Sequence, residues 1–375
     1  AGRVSFELGD RSLQHFQGNL NIPFSDDLSL RISMGDRSKD GFIDNITLDE
    51  EDYAGTIEET SGRIQIRWTP SDNTTIDLSS DYLEVDLIDY VYEYIEGSEQ
   101  YAGMPPAGSP LTAMSFDGVK YTQANGFANT TSKELAGTSL SIEHTLGNGF
   151  TITSLTGMRD DEMTFQADID GQPMTFMDGV FPMTSEQITQ ELRIASPTDG
   201  AYDFVAGLYY FDSEQHSYQN LTIGQAFAAG LDQMFPESMR GFLGGYTGEQ
   251  HMQVDTQSIA AFAHANYHIS DDLTAFMGLR YTDETKAYTA FPCVSDSPLN
   301  MPCNVFAGQG VSERTKAADE LTTSEPSWTV GLRRNIDDDS MLYGSVSRGI
   351  KTAAFNSLYS QDPAISLAAG TLVAD

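Results

Sequence analysis

The chain has 375 residues, 55 of them acidic and 20 basic, for a formal net charge of −35, and 39% of its residues are hydrophobic. This balance excludes nucleic acid as a partner, since neutralising phosphates takes lysine and arginine. No apolar run reaches the ~18 residues of a membrane-spanning helix, which excludes a helical membrane protein; a membrane β-barrel escapes that test, because every second residue of its strands can be polar.

The opening residues, AGRVSFELGDRSLQHF, carry no signal peptide and already alternate like a strand, so the chain is expected to begin inside a domain. Alternating runs follow near 3–9, 13–23, 27–36, 57–68, 74–86, 134–146, 149–160, 186–196, 202–212, 254–269, 272–284, 325–336 and 340–351, about thirteen strands. Short turns rich in Asp, Asn or Gly centre near Asp26, Asp72, Asn148, Asp199, Asp271 and Asp338, 46 to 76 residues apart. Each gap fits two strands joined by a long connection at the far end. These connections cover 36–59, with nine acids against two bases, then 87–133, 161–185, 213–253 and 285–324. Within the fourth, residues 223–245 can form a helix. Loops this long are uncommon in compact domains. Tight turns at one end and long loops at the other match an outer-membrane barrel, with short periplasmic turns and long extracellular loops.

Leu28, Leu30, Ile32 and Met34 oppose Ser29, Arg31 and Ser33. Ile64, Ile66 and Trp68 oppose Arg63, Gln65 and Arg67; Ile188, Leu192 and Ile194 oppose Thr189, Glu191 and Arg193. Over 254–269, Ile259, Ala261, Ala263, Ala265, Tyr267 and Ile269 oppose Ser258, Phe262, His264, Asn266 and His268. The polar parity also carries Arg159, Arg280 and Arg333. An arginine facing mid-bilayer lipid costs ~2–4 kcal/mol, so this parity is expected to line a wet or protein-filled lumen and the apolar parity to meet lipid. Trp68, Tyr267 and Tyr281 fall at the depths of interfacial aromatic girdles.

Three stretches resemble a known family. SEQITQELRIASPTDGAYDFVAGLYYFDSE (185–214) resembles a barrel hairpin of TonB-dependent outer-membrane receptors. SMLYGSVSRGIKTAAFN (340–356) is similar to that family's Tyr-x-Ser-x-Ser-Arg-Gly-Phe/Ile-Lys…Phe-Asn stretch at Tyr343, Ser345, Ser347, Arg348, Gly349, Lys351, Phe355 and Asn356. GNLNIPFSDDLSLRIS…DGFIDN (18–45) resembles an early hairpin. The resemblance implies an all-β fold, a transmembrane antiparallel β-barrel in the outer membrane of a Gram-negative bacterium. It further implies 22 strands around an N-terminal plug, of which about thirteen are present here. It implies uptake of a ferric siderophore or similar scarce nutrient, energised by the inner-membrane TonB-ExbB-ExbD complex through a box ahead of the plug, and contact with outer-membrane lipid and lipopolysaccharide. No plug, TonB box or closing aromatic strand is found, so residues 1–375 are expected to be a partial barrel domain without its plug.

The arginines Arg31, Arg63, Arg67, Arg159, Arg193, Arg280 and Arg333 have two readings: pairing with lumen acids such as Glu191, or a basic path for an anionic ligand. Tyr90, Tyr92, Tyr94 and Tyr101 in the second long connection are candidate ligand contacts through stacking, or packing groups of a raised strand. Cys293 and Cys303, close together in a polar loop with no histidine nearby, suggest a loop-stapling disulfide in an oxidising compartment rather than a metal site. His264 and His268 lie ~13 Å apart along a strand, too far to share a metal. Met158, Met163, Met174, Met177 and Met183 suit Cu(I) or an adaptable loop surface. Arg334 and Arg348 fall on the apolar parity, with Arg348 near the level of lipid A phosphates. No nucleophile elbow, P-loop or zinc-helix motif occurs, and neither enzymatic activity nor a cofactor is expected. Two alternatives stand beside the receptor: a passive porin-like or carbohydrate-specific channel, and a secreted all-β surface protein whose apolar faces pack on each other.

Overall fold

Tight polar turns and long alternating runs force the backbone into one continuous antiparallel meander. A computed structural model describes residues 1–88, 121–123, 125–169, 171, 177–223, 246–291, 317–337 and 339–355. Its strands are β1 Gly2–Leu8, β2 Gln14–Pro23, β3 Leu28–Lys39, β4 Ile43–Asn45, β5 Glu50–Ala54, β6 Thr56–Ser71, β7 Thr74–Ile88, β8 Thr122–Gln123, β9 Thr130–Thr145, β10 Thr151–Asp168, β11 Met177–Ala195, β12 Tyr202–Ile223, β13 Tyr246–Ser270, β14 Leu273–Phe291, β15 Ala317–Asn335 and β16 Met341–Arg348. Thirteen of them form one sheet in the order β1-β2-β3-β6-β7-β9-β10-β11-β12-β13-β14-β15-β16. The remaining three make a small sheet, β5-β4-β8, in which β4 and β8 run parallel. Among the described residues there is no helix; the helix considered for 223–245 falls, beyond Ile223, outside them.

Of the six turn positions read from sequence, Asp26, Asp72, Asn148, Asp199 and Asp271 join neighbouring strands, and Asp338 lies outside the described residues. Ser25 accepts hydrogen bonds from the N–H groups of Asp27 (3.3 Å) and Leu28 (3.1 Å). Asn148 accepts one from Phe150 at 3.3 Å, beside Gly149, whose φ of 83° is a left-handed conformation that glycine adopts without strain.

At the opposite end the strands run much further than the sequence pattern indicates. The run expected over 254–269 is the strand Tyr246–Ser270, and that over 325–336 is Ala317–Asn335. Parts of the expected loops 161–185, 213–253 and 285–324 are therefore strand. The reason is physical: hydrogen-bonded pairing continues, but with water on both faces the apolar–polar alternation that marks a strand is lost. The acidic segment 36–59 likewise holds β4 and β5 between strand ends.

From β7 to β14 burial inverts the usual pattern of a soluble protein. Ile259 is 56% exposed while its neighbour Ser258 is 4% exposed; Leu279 is 48% exposed while Thr282 is 7%. Along β13, Ala261, Ala263, Ala265, Tyr267 and Ile269 are all exposed and the residues between them are not. No second layer covers the main sheet among the described residues. One face of a lone sheet becomes more buried than the other only by curling, so that side chains crowd on the concave side. The polar parity is concave and the apolar parity convex. A secreted sandwich would bury the apolar parity between layers, and this architecture rules that alternative out.

Candidate functional site: the concave wall and the loop knot

The seven arginines assigned from sequence to the polar parity all stand on the concave parity, and other strands bring Arg63, Arg67 and Arg159 to carboxylates. Arg67 and Asp77 face each other directly across β6 and β7, joined by two hydrogen bonds of 2.7 and 2.9 Å. Arg63 faces Asp81 in the same pair of strands at 3.7 Å. Arg159 reaches the same carboxylate at 3.0 Å from two strands away. It passes over Gly137 of β9, where a Cβ would lie 2.8 Å from the guanidinium. Glycine in the middle strand is what lets one acid serve two arginines. Arg193 lies 2.9 Å from Glu191.

Arg280 has a different environment. Its guanidinium sits 5.1 Å from the centroid of Tyr209 and 5.9 Å from that of Phe262, and donates to the Thr282 hydroxyl at 3.1 Å. The Phe262 ring lies over Gly207, where a Cβ would stand 2.7 Å from it. Among the described residues Arg31, Arg280 and Arg333 make no ion pair.

At the tight-turn end, Asp203 collects a donor from Asn266 (2.8 Å) and the His268 Nε2 (2.7 Å), while His268 Nδ1 meets Thr274 at 3.2 Å. His264 stacks on Phe276. Among the described residues no group of three or more His, Cys, Asp or Glu is placed to hold a metal. Met163 and Met183 face each other across β10 and β11 on the concave parity, whereas Met158 is exposed on the convex one, so these three do not converge. Met174 and the side chain of Met177 lie outside the described residues.

At the other end, three connections are tied into one polar knot. The Asp168 carboxylate, at the end of β10, accepts from Gly126 (3.0 Å), Phe127 (3.2 Å) and Gly171 (2.7 Å), all backbone N–H groups. Asn129 accepts from the Asp168 N–H at 2.7 Å, and Asn45 donates to the Asn125 carbonyl at 3.1 Å. Asn45, Asn125, Asn129 and Asp168 are fully buried. Burial and the nearby Glu50 push the Tyr53 phenol above its ordinary range. Sequence reasoning missed this knot, as it missed Asp77, Asp81 and Gly137. The available signal was the run Gln123–Ala124–Asn125–Gly126 followed by Asn129, turn-forming residues able to satisfy backbone groups.

The family stretch lies on β16 and just beyond it. Tyr343 faces Arg333, and Ser345 and Ser347 continue along that parity. Arg348 is paired across from Trp328 on the convex parity; its guanidinium is 2.6 Å from Glu325 and donates to the Pro326 carbonyl. Arg334 bonds Asp272 at 3.2 Å in the tight turn. Gly349, Lys351 and Phe355 follow β16. Tyr90, Tyr92, Tyr94, Tyr101, Cys293, Cys303 and Asn356 lie outside the described residues.

The family model described as TonB dependent receptor-like, beta-barrel, matches residues 80–372, more than half of the chain. The chain belongs to the TonB-dependent receptor family. It is an outer-membrane protein of Gram-negative type, its convex face meeting lipid, its tight turns periplasmic and its long connections extracellular. A search of curated proteins by sequence finds no match. Solved receptor structures share the fold. The ferric yersiniabactin uptake receptor FyuA from Yersinia pestis is 15% identical with a TM-score of 0.68, covering 96% of this chain and 48% of that one. The siderophore receptor PiuA from Acinetobacter baumannii is 13% identical with a TM-score of 0.64, covering 92% and 48%. The ferric-catecholate import receptor Fiu from E. coli K12, in its open form, is 12% identical with a TM-score of 0.59, covering 92% and 53%. This receptor chain spans about half the length of these structures.

Proposed function

We propose that residues 1–375 form one stretch of the barrel wall of an outer-membrane receptor that imports an anionic ferric chelate, or a similar scarce nutrient, with energy from the TonB complex. The plug lies outside these residues. The observation that supports this reading is uncompensated positive charge on the concave wall. In a chain of net charge −35, Arg63 and Arg159 share one acid, and Arg280 is held by rings and a hydroxyl rather than a carboxylate. An anion descending the lumen gains from such groups, which desolvation strengthens. The extracellular Tyr90, Tyr92, Tyr94 and Tyr101 supply stacking area for its capture. The reaction breaks no bond; it is capture, release by plug movement, and passage along the arginine wall.

The test is uptake of radioactive iron, given as a panel of ferric chelates, by cells that depend on this receptor. Uptake is expected to vanish when TonB is removed, and to fall at least about tenfold in an Arg63→Ala/Arg159→Ala variant that still inserts as a barrel. Solute flux that persists without TonB makes the protein a passive channel and ends the proposal.

A further inference from the structure

After β16 the chain does not continue upward as a strand. Residues 350–355 turn inward and cross the concave face at its extracellular end. Lys286 of β14 holds them: its Nζ donates to the Thr352 hydroxyl at 3.0 Å and the Ala353 carbonyl at 2.9 Å, and pairs with Glu284 at 2.8 Å. The Ala353 N–H donates to the Thr323 hydroxyl of β15 at 3.3 Å. The Phe355 ring stacks on Tyr288, centroids 5.1 Å apart, and packs with Val254 against the buried pair Met252 and Tyr288. The segment thus lies over three successive strands, pinned at Thr323, Lys286 and Met252.

The exposure pattern says which way its side chains face. Ile350, Thr352, Ala353 and Phe355 are covered, whereas Lys351 and Ala354 are exposed. Thr352 is held to the wall by Lys286, and the neighbouring Lys351 is exposed. Among the described residues Lys351 has no acidic partner, although acids outnumber bases 55 to 20 in this chain. A lysine left unpaired amid such an excess, on a segment built to present it, is a positive charge displayed to whatever enters.

We propose that residues 350–355 form a fixed inner rim at the extracellular mouth, and that Lys351 is its ligand-contacting cation, reading the negative charge of the incoming chelate. Lys286 is a positioning residue. The rim rests on the receptor function proposed above only for the identity of the ligand; its geometry stands separately. A rim pinned by a three-partner lysine and an aromatic stack stays docked throughout transport rather than acting as a gate.

Three measurements on the receptor in intact cells test this. A Lys351→Cys variant is exposed to a membrane-impermeant maleimide from outside, with and without a saturating ferric chelate from the panel. Labelling is expected without chelate, with protection of about tenfold or more in rate when chelate binds. Absence of labelling removes Lys351 from the lumen and overturns the rim. Labelling with no protection by a chelate that the receptor demonstrably imports overturns the contact. Labelling with no chelate bound or imported at all leaves the rim standing and sinks the proposed substrate instead. Second, a Thr323→Cys/Ala353→Cys disulfide ties the rim to β15. Uptake is expected to stay within about twofold of the reduced form; its loss shows a moving gate and overturns the fixed rim. Lys351→Arg is expected to retain binding that Lys351→Glu loses, which a merely structural lysine would not show.

Discussion

The two faces of the main sheet share a backbone and differ in everything else. On the concave face, acids meet bases: Asp77 with Arg67, Asp81 with Arg63 and Arg159, Glu191 with Arg193. On the convex face, several strands carry an apolar stretch that ends in a carboxylate. On β12 the outward residues run Leu208, Tyr210, then Asp212; on β14 they run Leu279, Tyr281, then Asp283. Above that line, Asp160, Glu186, Glu214 and Asp255 are directly opposed on four adjacent strands, and Glu84, Glu134 and Glu162 on three. No lysine or arginine stands on the outward parity above the apolar stretch from β3 to β15 among the described residues. Like charge gathers where water reaches it, acid meets base at several concave positions, and charge is absent from the apolar stretch. The comparison teaches that the membrane boundary is written on one parity only.

The largest effect that sharpens this contrast comes from one substitution made on both faces. Ala263 is outward and near the middle of the apolar stretch of β13; His264 beside it is inward. Ala263→Arg is expected to destabilise the barrel by about 2–4 kcal/mol, the cost of arginine at the bilayer midplane, and His264→Arg by far less. Denaturant unfolding in lipid vesicles measures both. Equal costs would break the assignment of the faces.

A smaller loss is expected inside. Asp81→Ala leaves Arg63 and Arg159 on one row with no acid between them. Removing a charged hydrogen-bond acceptor at a half-buried position costs about 1–3 kcal/mol. Sodium chloride is expected to recover part of that loss, because the remaining term is repulsion between two cations. A salt-independent deficit would mean that Asp81 packs rather than neutralises.

Above the apolar stretch the sign of the salt effect follows from the acid rows. Like charges directly opposed across strands destabilise by up to about 1 kcal/mol per pair, and solvent-exposed repulsion is screened. Wild-type thermal stability in detergent is therefore expected to rise with magnesium chloride and to fall on chelation of divalent ions. A Glu186→Gln/Glu214→Gln variant is expected to lose most of that dependence. An unchanged dependence in the variant places its origin elsewhere.

How much of this was legible depended on which end of a strand was read. Near the tight turns, alternation and Asp/Asn/Gly turn chemistry gave the strands Leu28–Lys39 and Leu273–Phe291 their starts and faces, because there the two parities meet different solvents. The far ends of those strands carry Asp36 and Asp283 on the outward parity and lose the contrast, so their extent could not be read. Arg159 was legible as an inward residue, but its tie to Asp81 depends on Gly137 in an intervening strand, a register that one sequence does not state. The knot around Asp168 joins residues more than 40 positions apart through backbone groups, which leaves no periodicity at all.

The smallest effect lies at the periplasmic turns, outside the membrane. Asp272 is held below its ordinary value of 3.8 first by the Ser270 hydroxyl (2.6 Å) and then by Arg334 (3.2 Å). Asp337 is lowered first by Ser340 and then by the N–H of Asp339 at 3.0 Å. A carboxylate with a depressed folded value stabilises its turn fully above the ordinary value and loses that contribution as pH falls through the folded one. Between neutral pH and about pH 5 these turns are therefore expected to be unaffected, with amide protection at Asn335, whose N–H donates to the Asp272 carbonyl at 2.8 Å, declining only below about pH 4. Both side chains are solvent-exposed, so the change is local, and global unfolding is not expected to follow it. Asp272→Asn should flatten the profile at its own turn and leave that of Asp337 intact. If both turns lose protection together, the two hairpins are coupled through the sheet and the loss reports the barrel, not the turn.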